Sequence, residues 1–134
     1  MRVFLDANVL FSASNAGSNI AQLVELLLAE ANAVTSAFAC EEARRSLSAR
    51  RVDWLPAFEQ LMQEIEVVPS TLFELPVSLD EKDRPLLCAA IRAQCTHFAT
   101  GDRRDFGRLF GETVEQVEVV SLLGLARLLT ASGD

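Results

Sequence analysis

The chain has 134 residues, half of them apolar and 23% charged, and a formal net charge of −7. This size and composition predict a single globular domain over residues 1–134 and exclude a disordered chain. The acidic balance argues against bulk electrostatic binding of nucleic acid. No apolar stretch approaches the ~20 residues of a membrane span, and no signal peptide is expected because the apolar run at the N-terminus ends at Asp6.

Strand and helix patterns alternate along the first half of the chain. A continuous apolar run indicates a buried strand, whereas apolar residues three and four apart indicate a helix. Together with turn and capping residues, these criteria predict, in order, a strand at 2–6, a loop at 15–19, a helix at 20–31, a strand at 33–35, a helix capped by Ser36, a helix at 54–65 capped by Asp53, and a strand at 67–69.

The second half continues the alternation and defines the fold class. It contains a linker at 76–80, a helix opening at Asp83, a strand at 96–100, a short helical turn at 103–110 ended by Gly111, a strand at 117–120, and a closing helix capped by Ser121. Alternating strands and helices predict a parallel sheet between two helical layers. We therefore expect a three-layer α/β/α domain with about five parallel strands.

The cysteines and the single histidine exclude several kinds of site. Cys40, Cys88 and Cys95 lie in apolar contexts with no CxxC spacing, which indicates reduced, packed thiols and a cytoplasmic protein. A structural zinc site is not expected from scattered cysteines and one histidine. That histidine, His97, lies inside a predicted strand and is expected to be a packed or surface residue rather than a catalyst.

Four acidic residues stand at the edges of apolar strands or helices: Asp6, Glu42, Asp83 and Asp102. Carboxylates at strand ends of an α/β protein project into the crevice where such sheets bind ligands. Several of them converging there repel one another unless a cation lies between them, and hard oxygen ligands suit Mg²⁺ or Mn²⁺. Bound metal ions can supply the activated water and the charge stabilisation that phosphodiester hydrolysis needs, so the main task of the protein is to hold them with carboxylates.

Three of the four carboxylates have a purely structural alternative. Asp83 can be a first-turn or capping residue, Glu42 a solvated helix residue beside Arg45, and Asp102 a turn residue. Asp6 is harder to dismiss, because an acid at a buried strand end needs a partner or an ion.

Arginine makes up eleven of the twelve basic residues, and it is the side chain that best grips phosphate with two hydrogen bonds. These residues either contact the phosphates of a nucleic acid or form solvated faces of helices. Two clusters are evident: Arg44, Arg45, Arg50 and Arg51 on one predicted helix, and Arg103, Arg104 and Arg108 beside Asp102.

Four sequence blocks carry a family resemblance. They are Val-Phe-Leu-Asp-Ala-Asn at 3–8, Thr-Ser-Ala-Phe-Ala-Cys-Glu-Glu-Ala at 35–43, Asp-Glu-Lys-Asp-Arg-Pro-Leu-Leu-Cys-Ala-Ala at 80–90, and Ala-Thr-Gly-Asp-Arg-Arg-Asp-Phe at 99–106. In order and spacing, over residues 2–130, the chain resembles the PIN-domain nucleases. Among these it is most similar to the toxin ribonucleases of bacterial toxin–antitoxin pairs.

The resemblance implies a Mg²⁺- or Mn²⁺-dependent endoribonuclease, a cognate antitoxin partner and a homodimer. Asp6 and Asp102 would hold the main ion, while Glu42 and Asp83 would orient its waters or hold a second ion. The remaining implied site residues are Asp105 as an accessory metal ligand, and Asn8 and Thr100 as supporting groups. From the two arginine clusters, the candidate RNA-binding residues are Arg44, Arg45, Arg103 and Arg104.

Two points stay open in this interpretation. Glu41 is adjacent to Glu42, and Glu42 is preferred because the family glutamate precedes a small or apolar residue and then a leucine. The alternatives to an RNA-cutting enzyme are a non-catalytic PIN module that binds RNA or a protein, and a DNA-directed nuclease.

Overall fold

A computed structural model describes residues 1–131 as a sheet covered by helices. The strands are β1 (Arg2–Leu5), β2 (Asn32–Ser36), β3 (Glu66–Val68), β4 (His97–Ala99), β5 (Thr113–Val114) and β6 (Val117–Val120). The helices are α1 (Ala7–Ala13), α2 (Asn19–Glu30), α3 (Ala37–Arg50), α4 (Leu55–Met62), α5 (Arg84–Arg92), α6 (Arg103–Phe106) and α7 (Leu122–Ala131).

The sheet has six strands in the order β3-β2-β1-β4-β6-β5. The five predicted strands are present and parallel, which confirms the α/β prediction. The sixth, β5, was not predicted and pairs antiparallel with β6 across a turn at Glu115 and Gln116. Both turn residues have positive φ, as the two-residue hairpin turn requires, but neither is the Asn or Gly that usually signals it.

Two features of the helices differ from the predictions. Helix α1 was not predicted, because seven mostly apolar residues are too few to show a helical period. The prediction that Asp53 caps a helix was wrong. Asp53 lies inside a 3₁₀ turn at Val52–Trp54, and its carboxylate accepts hydrogen bonds from Arg51 at 3.2 and 2.8 Å instead of capping the backbone.

The hydrophobic core fixes the central strands from both faces. Val3, Phe4 and Leu5 are all fully buried although successive residues of a strand point to opposite faces, so helices cover both sides of β1. The rings of Phe4 and Phe98 stack at 5.3 Å, and Phe106 of α6 packs on Phe98 at 4.9 Å. This contact anchors the turn after β4 to the core.

The strand order creates a crevice at one edge of the sheet. From β1 the chain moves outward to β2 and β3, and then returns to place β4 on the other side of β1. Ligands bind outside the carboxyl ends of the two strands where the order reverses in this way. Asp6 follows β1 directly, and Asp102 follows β4 after two residues.

The remaining predictions about the interior agree with the structure. Cys40, Cys88 and Cys95 are buried free thiols. Ser36 and Ser121 each accept a hydrogen bond from the backbone three residues later, as capping residues do. Within residues 1–131, no helix is both long and apolar enough to cross a membrane.

Candidate active site

An open crevice of about 360 Å³ lies outside the carboxyl ends of β1 and β4. Asp6, Glu42, Asp83 and Asp102 all line it, so four segments far apart in sequence place their carboxyl groups at one site. Its other lining residues are Ala7, Asn8, Phe11, Ser12, Ala43, Ser46, Arg50, Lys82 and Leu86.

Asp6 forms the floor of the crevice and is only 4% exposed. Its Oδ1 accepts a hydrogen bond from the backbone N–H of Ala7 at 2.7 Å, which begins α1. Its Oδ2 accepts from Asn8 Nδ2 at 3.1 Å and from Thr100 Oγ1 at 2.7 Å. These neutral donors orient the carboxylate without neutralising its charge.

Asn8 and Thr100 connect the first acid to the fourth. Besides donating to Asp6, the hydroxyl oxygen of Thr100 accepts from Asn8 Nδ2 at 3.2 Å and from the N–H of Asp102 at 3.0 Å. Asn8 Oδ1 accepts from the N–H of Gly101 at 2.9 Å. A side chain at Gly101 would place its Cβ 3.3 Å from this oxygen, so the small residue permits the close approach.

Asp102 has a structural role as well as a place in the crevice. Its Oδ1 accepts the N–H of Asp105 at 3.0 Å and thereby caps α6. The structural alternative considered for Asp102 is therefore partly realised. While Oδ1 caps α6, the carboxylate of Asp102 also lines the crevice.

Glu42 and Glu41 occupy different surroundings on α3. Glu42 is half-buried and lines the acidic crevice, where its charge acts on Asp6. Glu41 is exposed and lines a neighbouring depression with Phe38 and Arg45, which Glu42 also borders. Of the two glutamates, only Glu42 faces the other three acids.

Asp83 is the least satisfied polar group of the crevice. It is 5% exposed, its side chain does not cap α5, and its buried Oδ2 has no hydrogen-bond partner among residues 1–131. Carboxylate oxygens of Asp80, Asp83 and Asp105 lie within 4.8 Å of one another. Lys82 Nζ pairs with Asp105 Oδ2 at 3.2 Å and partly balances this charge.

Burial and mutual repulsion change the acidity of two of these groups. Burial raises the pKa of Asp6 to about 6, with the charges of Glu42 and Asp102 adding to the effect and the hydrogen bonds from Thr100 and Ala7 opposing it. Burial, followed by the adjacent carboxyl of Asp105, raises the pKa of Asp83 to about 7. The hydrogen bond with the Asp83 carboxyl, followed by that with Lys82, lowers the pKa of Asp105, so the two carboxyls titrate as a pair.

We expect Asp83→Asn to stabilise the metal-free protein at pH 8 but much less at pH 5. Folded Asp83 keeps its proton up to about pH 7, whereas an unfolded aspartate loses it near 3.8, so the parent loses stability as pH rises between these values. An asparagine cannot ionise, and its amide can donate to Asp105. The measurement is the melting temperature of both proteins in chelator at each pH. Equal differences at pH 5 and pH 8 would contradict the assigned pKa.

The predicted RNA-binding arginines differ in whether their guanidinium groups already have a partner within the protein. The guanidinium of Arg44 pairs with Glu59 at 3.0 Å and lies 5.2 Å from the centroid of the Phe58 ring. Arg45, Arg103 and Arg104 are exposed, and Arg104 borders a depression with Asp80 and Asp105. The charge of Arg44 is therefore already paired with an acidic residue, whereas those of the other three arginines are accessible to a ligand.

Sequence reasoning missed three charged residues at the site. Asp80 was assigned to a linker, although its spacing of three from Asp83 within a turn was a usable signal. Lys82 lines the crevice and was not singled out, and Arg50, which also lines it, was noted only as a member of an arginine cluster. His97 opens β4 at the opposite edge of the sheet, where its Nδ1 lies 2.8 Å from Thr96 Oγ1.

The donor set fits a hard divalent cation. Among the described residues, the crevice offers carboxylate oxygens, one of them buried and without a hydrogen-bond partner there. Mg²⁺ and Mn²⁺ prefer such oxygen ligands. No thiol lines it, which disfavours a softer metal.

No protein-family model and no curated protein matches this sequence. Solved structures do match its fold. The VapBC2 complex of Rickettsia felis, bound to a DNA fragment from its promoter, matches with a TM-score of 0.66 at 13% identity over 90% of this chain and 98% of that chain. VapC20 of Mycobacterium tuberculosis, described as a toxin that cleaves the sarcin–ricin loop, matches at 0.57 with 14% identity over 84% and 98%. PAE2754 of Pyrobaculum aerophilum matches at 0.60 with 16% identity over 98% and 96%.

These matches establish the fold. The chain has the PIN fold, with VapC toxins among its structural neighbours, as the sequence resemblance predicted. At identities of 13–16% the likeness concerns the arrangement of the backbone and does not transfer an activity.

Proposed function

We propose that this PIN-fold protein is a divalent-metal-dependent endoribonuclease. The observation that supports the proposal most strongly is the buried Oδ2 of Asp83, which has no hydrogen-bond partner within residues 1–131 and lies in a crevice lined by three further carboxylates. Such a group costs free energy in a folded protein unless a proton or a cation satisfies it. The arrangement suits an enzyme that binds metal during its reaction.

The carboxylates divide into two groups around the proposed cations. Asp6 and Asp102 would hold the main ion, while Glu42 and Asp83 would orient its waters or hold a second ion, with Asp105 as an accessory ligand. When bound, such an ion supplies charge stabilisation at the phosphoryl oxygens and a more acidic water. Asn8 and Thr100 would keep Asp6 and Asp102 in position, since both donate to Asp6 and the Thr100 hydroxyl accepts the N–H of Asp102.

RNA is the proposed substrate. The neighbour VapC20 is a toxin that cleaves the sarcin–ricin loop, and the present chain shares its fold over most of its length. Arg45, Arg103 and Arg104 would contribute accessible charges for the phosphate backbone, whereas Arg44 would first have to leave Glu59. A DNA-directed nuclease or a non-catalytic module is the outcome if RNA is not cut.

We also propose a protein partner and a cellular setting. The neighbour VapBC2 is a toxin–antitoxin complex bound to promoter DNA, so a cognate antitoxin is proposed for this chain. A homodimer is proposed with it, as the family resemblance implies. A cytoplasmic location is also proposed, because buried free cysteines persist in a reducing compartment.

We expect Mn²⁺ or Mg²⁺ to raise the melting temperature of the protein. An ion at a hundred times its dissociation constant stabilises the folded state by about 2.7 kcal/mol, or roughly 5–15 °C for a domain of this size. Asp6→Asn removes one of the two carboxylates proposed to hold the main ion and should lose most of this shift. Thermal denaturation with and without millimolar Mn²⁺ measures it.

The control for this experiment is Glu30→Gln, which changes the charge equally at the exposed end of α2, just before β2 begins at the far edge of the sheet. It should keep the full metal-dependent shift. A parent protein with no shift at millimolar Mn²⁺ would overturn the metal site and favour the non-catalytic module.

A further inference from the structure

Arg50 is the basic residue on the wall of the acidic crevice formed by α3. It is the last residue of that helix and lines the crevice together with Glu42 and Ser46. Residues four and eight apart share one face of a helix, so Arg50 lies two turns from Glu42 on the same side. Arg44 and Arg45 do not line the crevice.

An aromatic ring holds the guanidinium of Arg50 in place. Its central carbon lies 4.8 Å from the centroid of the Phe11 ring, and Phe11 also lines the crevice. Phe11 packs edge-on against Trp54 at 5.5 Å, and Arg51 covers Trp54 at 3.9 Å. Such stacking restricts a flexible side chain and leaves its N–H groups free to donate.

Within residues 1–131, the charge of Arg50 has no acidic partner. Arg2, Arg44 and Arg51 each pair with a carboxylate, and Lys82 pairs with Asp105. For Arg50, the contacts of residues 1–131 include the Phe11 ring but no ion pair and no hydrogen bond. A positioned guanidinium with uncommitted donors, at the rim of a site that repels anions, suits a ligand carrying phosphate.

We propose that Arg50, supported by the ring of Phe11, binds a phosphodiester of a single RNA strand next to the one positioned for cutting. This inference rests on the proposed ribonuclease function and adds the contact that holds the strand across the acidic crevice. The structural alternative is that Arg50 only stabilises the carboxyl end of α3, where a positive charge interacts favourably with the helix dipole. The two differ in their effect on RNA.

The test compares Arg50→Gln with Arg92→Gln. Arg92 is an exposed arginine in the last turn of α5, so this control removes the same charge away from the crevice. Both changes are made in an Asp102→Asn background, and binding of a fluorescent, mixed-sequence single-stranded RNA is measured by anisotropy in Mn²⁺. In the otherwise unaltered enzyme, kcat and KM are measured on the same RNA.

Arg50→Gln should weaken RNA binding about tenfold, since it removes a charge-assisted hydrogen bond to phosphate. The slope of log affinity against log salt should decrease in magnitude by about 0.7, the value for one contact to a single strand. KM should rise with kcat nearly unchanged, and Arg92→Gln should behave as the parent. Arg50→Lys should keep the salt slope but bind RNA several-fold more weakly. Lysine keeps the positive charge, but it cannot make two parallel hydrogen bonds to a phosphate or stack on the Phe11 ring as a planar guanidinium does.

The outcomes separate this inference from the proposed function. If the parent cuts RNA and Arg50→Gln binds it as Arg92→Gln does, the Arg50 assignment is wrong while the ribonuclease stands. If the parent neither binds nor cuts RNA, both fall. If Arg50→Gln melts well below the parent, the comparison rests on Arg50→Lys. Weaker RNA binding by Arg50→Lys, with the salt slope of the parent, supports the contact. RNA affinity equal to that of the parent overturns it.

Discussion

Asp102→Asn is expected to lose at least 100-fold in RNA cleavage while folding like the parent. The change removes one negative charge from the crevice at the position proposed to hold the main ion, and losing a single group that stabilises the transition state typically costs 10²–10³ in rate. The amide oxygen of asparagine can still accept the N–H of Asp105, so α6 keeps its cap.

The measurement is the initial rate of RNA cleavage in Mn²⁺, accompanied by the melting temperature in chelator. Glu30→Gln serves as the matched loss of one charge, and it should cut RNA at the parental rate. Cleavage by Asp102→Asn at the rate of the parent would remove Asp102 from the proposed site, even if the enzyme is confirmed as a ribonuclease.

Glu42→Gln is expected to be nearly inactive, whereas Glu41→Gln should retain nearly full activity. Adjacent residues of a helix point about 100° apart, and only Glu42 lines the crevice with Asp6 and Asp102. Both changes remove one charge from the same turn of α3, so a general electrostatic effect on RNA binding would be shared. A difference between them must come from the position of the carboxylate.

The two glutamine variants are compared in the same cleavage assay, with kcat and KM determined separately. An inactive Glu41→Gln beside an active Glu42→Gln would place the metal ligand in the neighbouring depression lined by Phe38 and Arg45. Equal losses in the two variants would show that neither carboxylate has a specific role.

The fold was predictable because its signals are local and repeated. Each central strand is a short apolar run, and Ser36 and Ser121 cap helices where the sequence places them. The crevice followed from topology, since Asp6 and Asp102 come after neighbouring strands that end at the same edge. Helix α1 and the hairpin of β5 with β6 escaped prediction because neither segment carries a periodic or turn signal long enough to recognise.

The finer composition of the site depends on contacts that sequence does not reveal. That Arg44 is held by Glu59 and Phe58 requires α3 and α4 to pack together, which no local pattern specifies. Arg50 was detectable in principle, since it lies eight residues after Glu42 on the same helical face. Its support by Phe11 could not be foreseen, because Phe11 lies in the unpredicted helix α1.

The most direct test of the central claim is RNA cleavage by the purified protein as a function of divalent cation. If the carboxylates of the crevice hold the catalytic ion, RNA should not be cleaved in chelator. The rate of cleavage should rise with the concentration of Mn²⁺ or Mg²⁺ and then saturate. Duplex DNA of the same sequence should be spared. Cleavage of RNA at an undiminished rate in chelator, or no cleavage of RNA at any concentration of either ion, would contradict a metal-dependent ribonuclease.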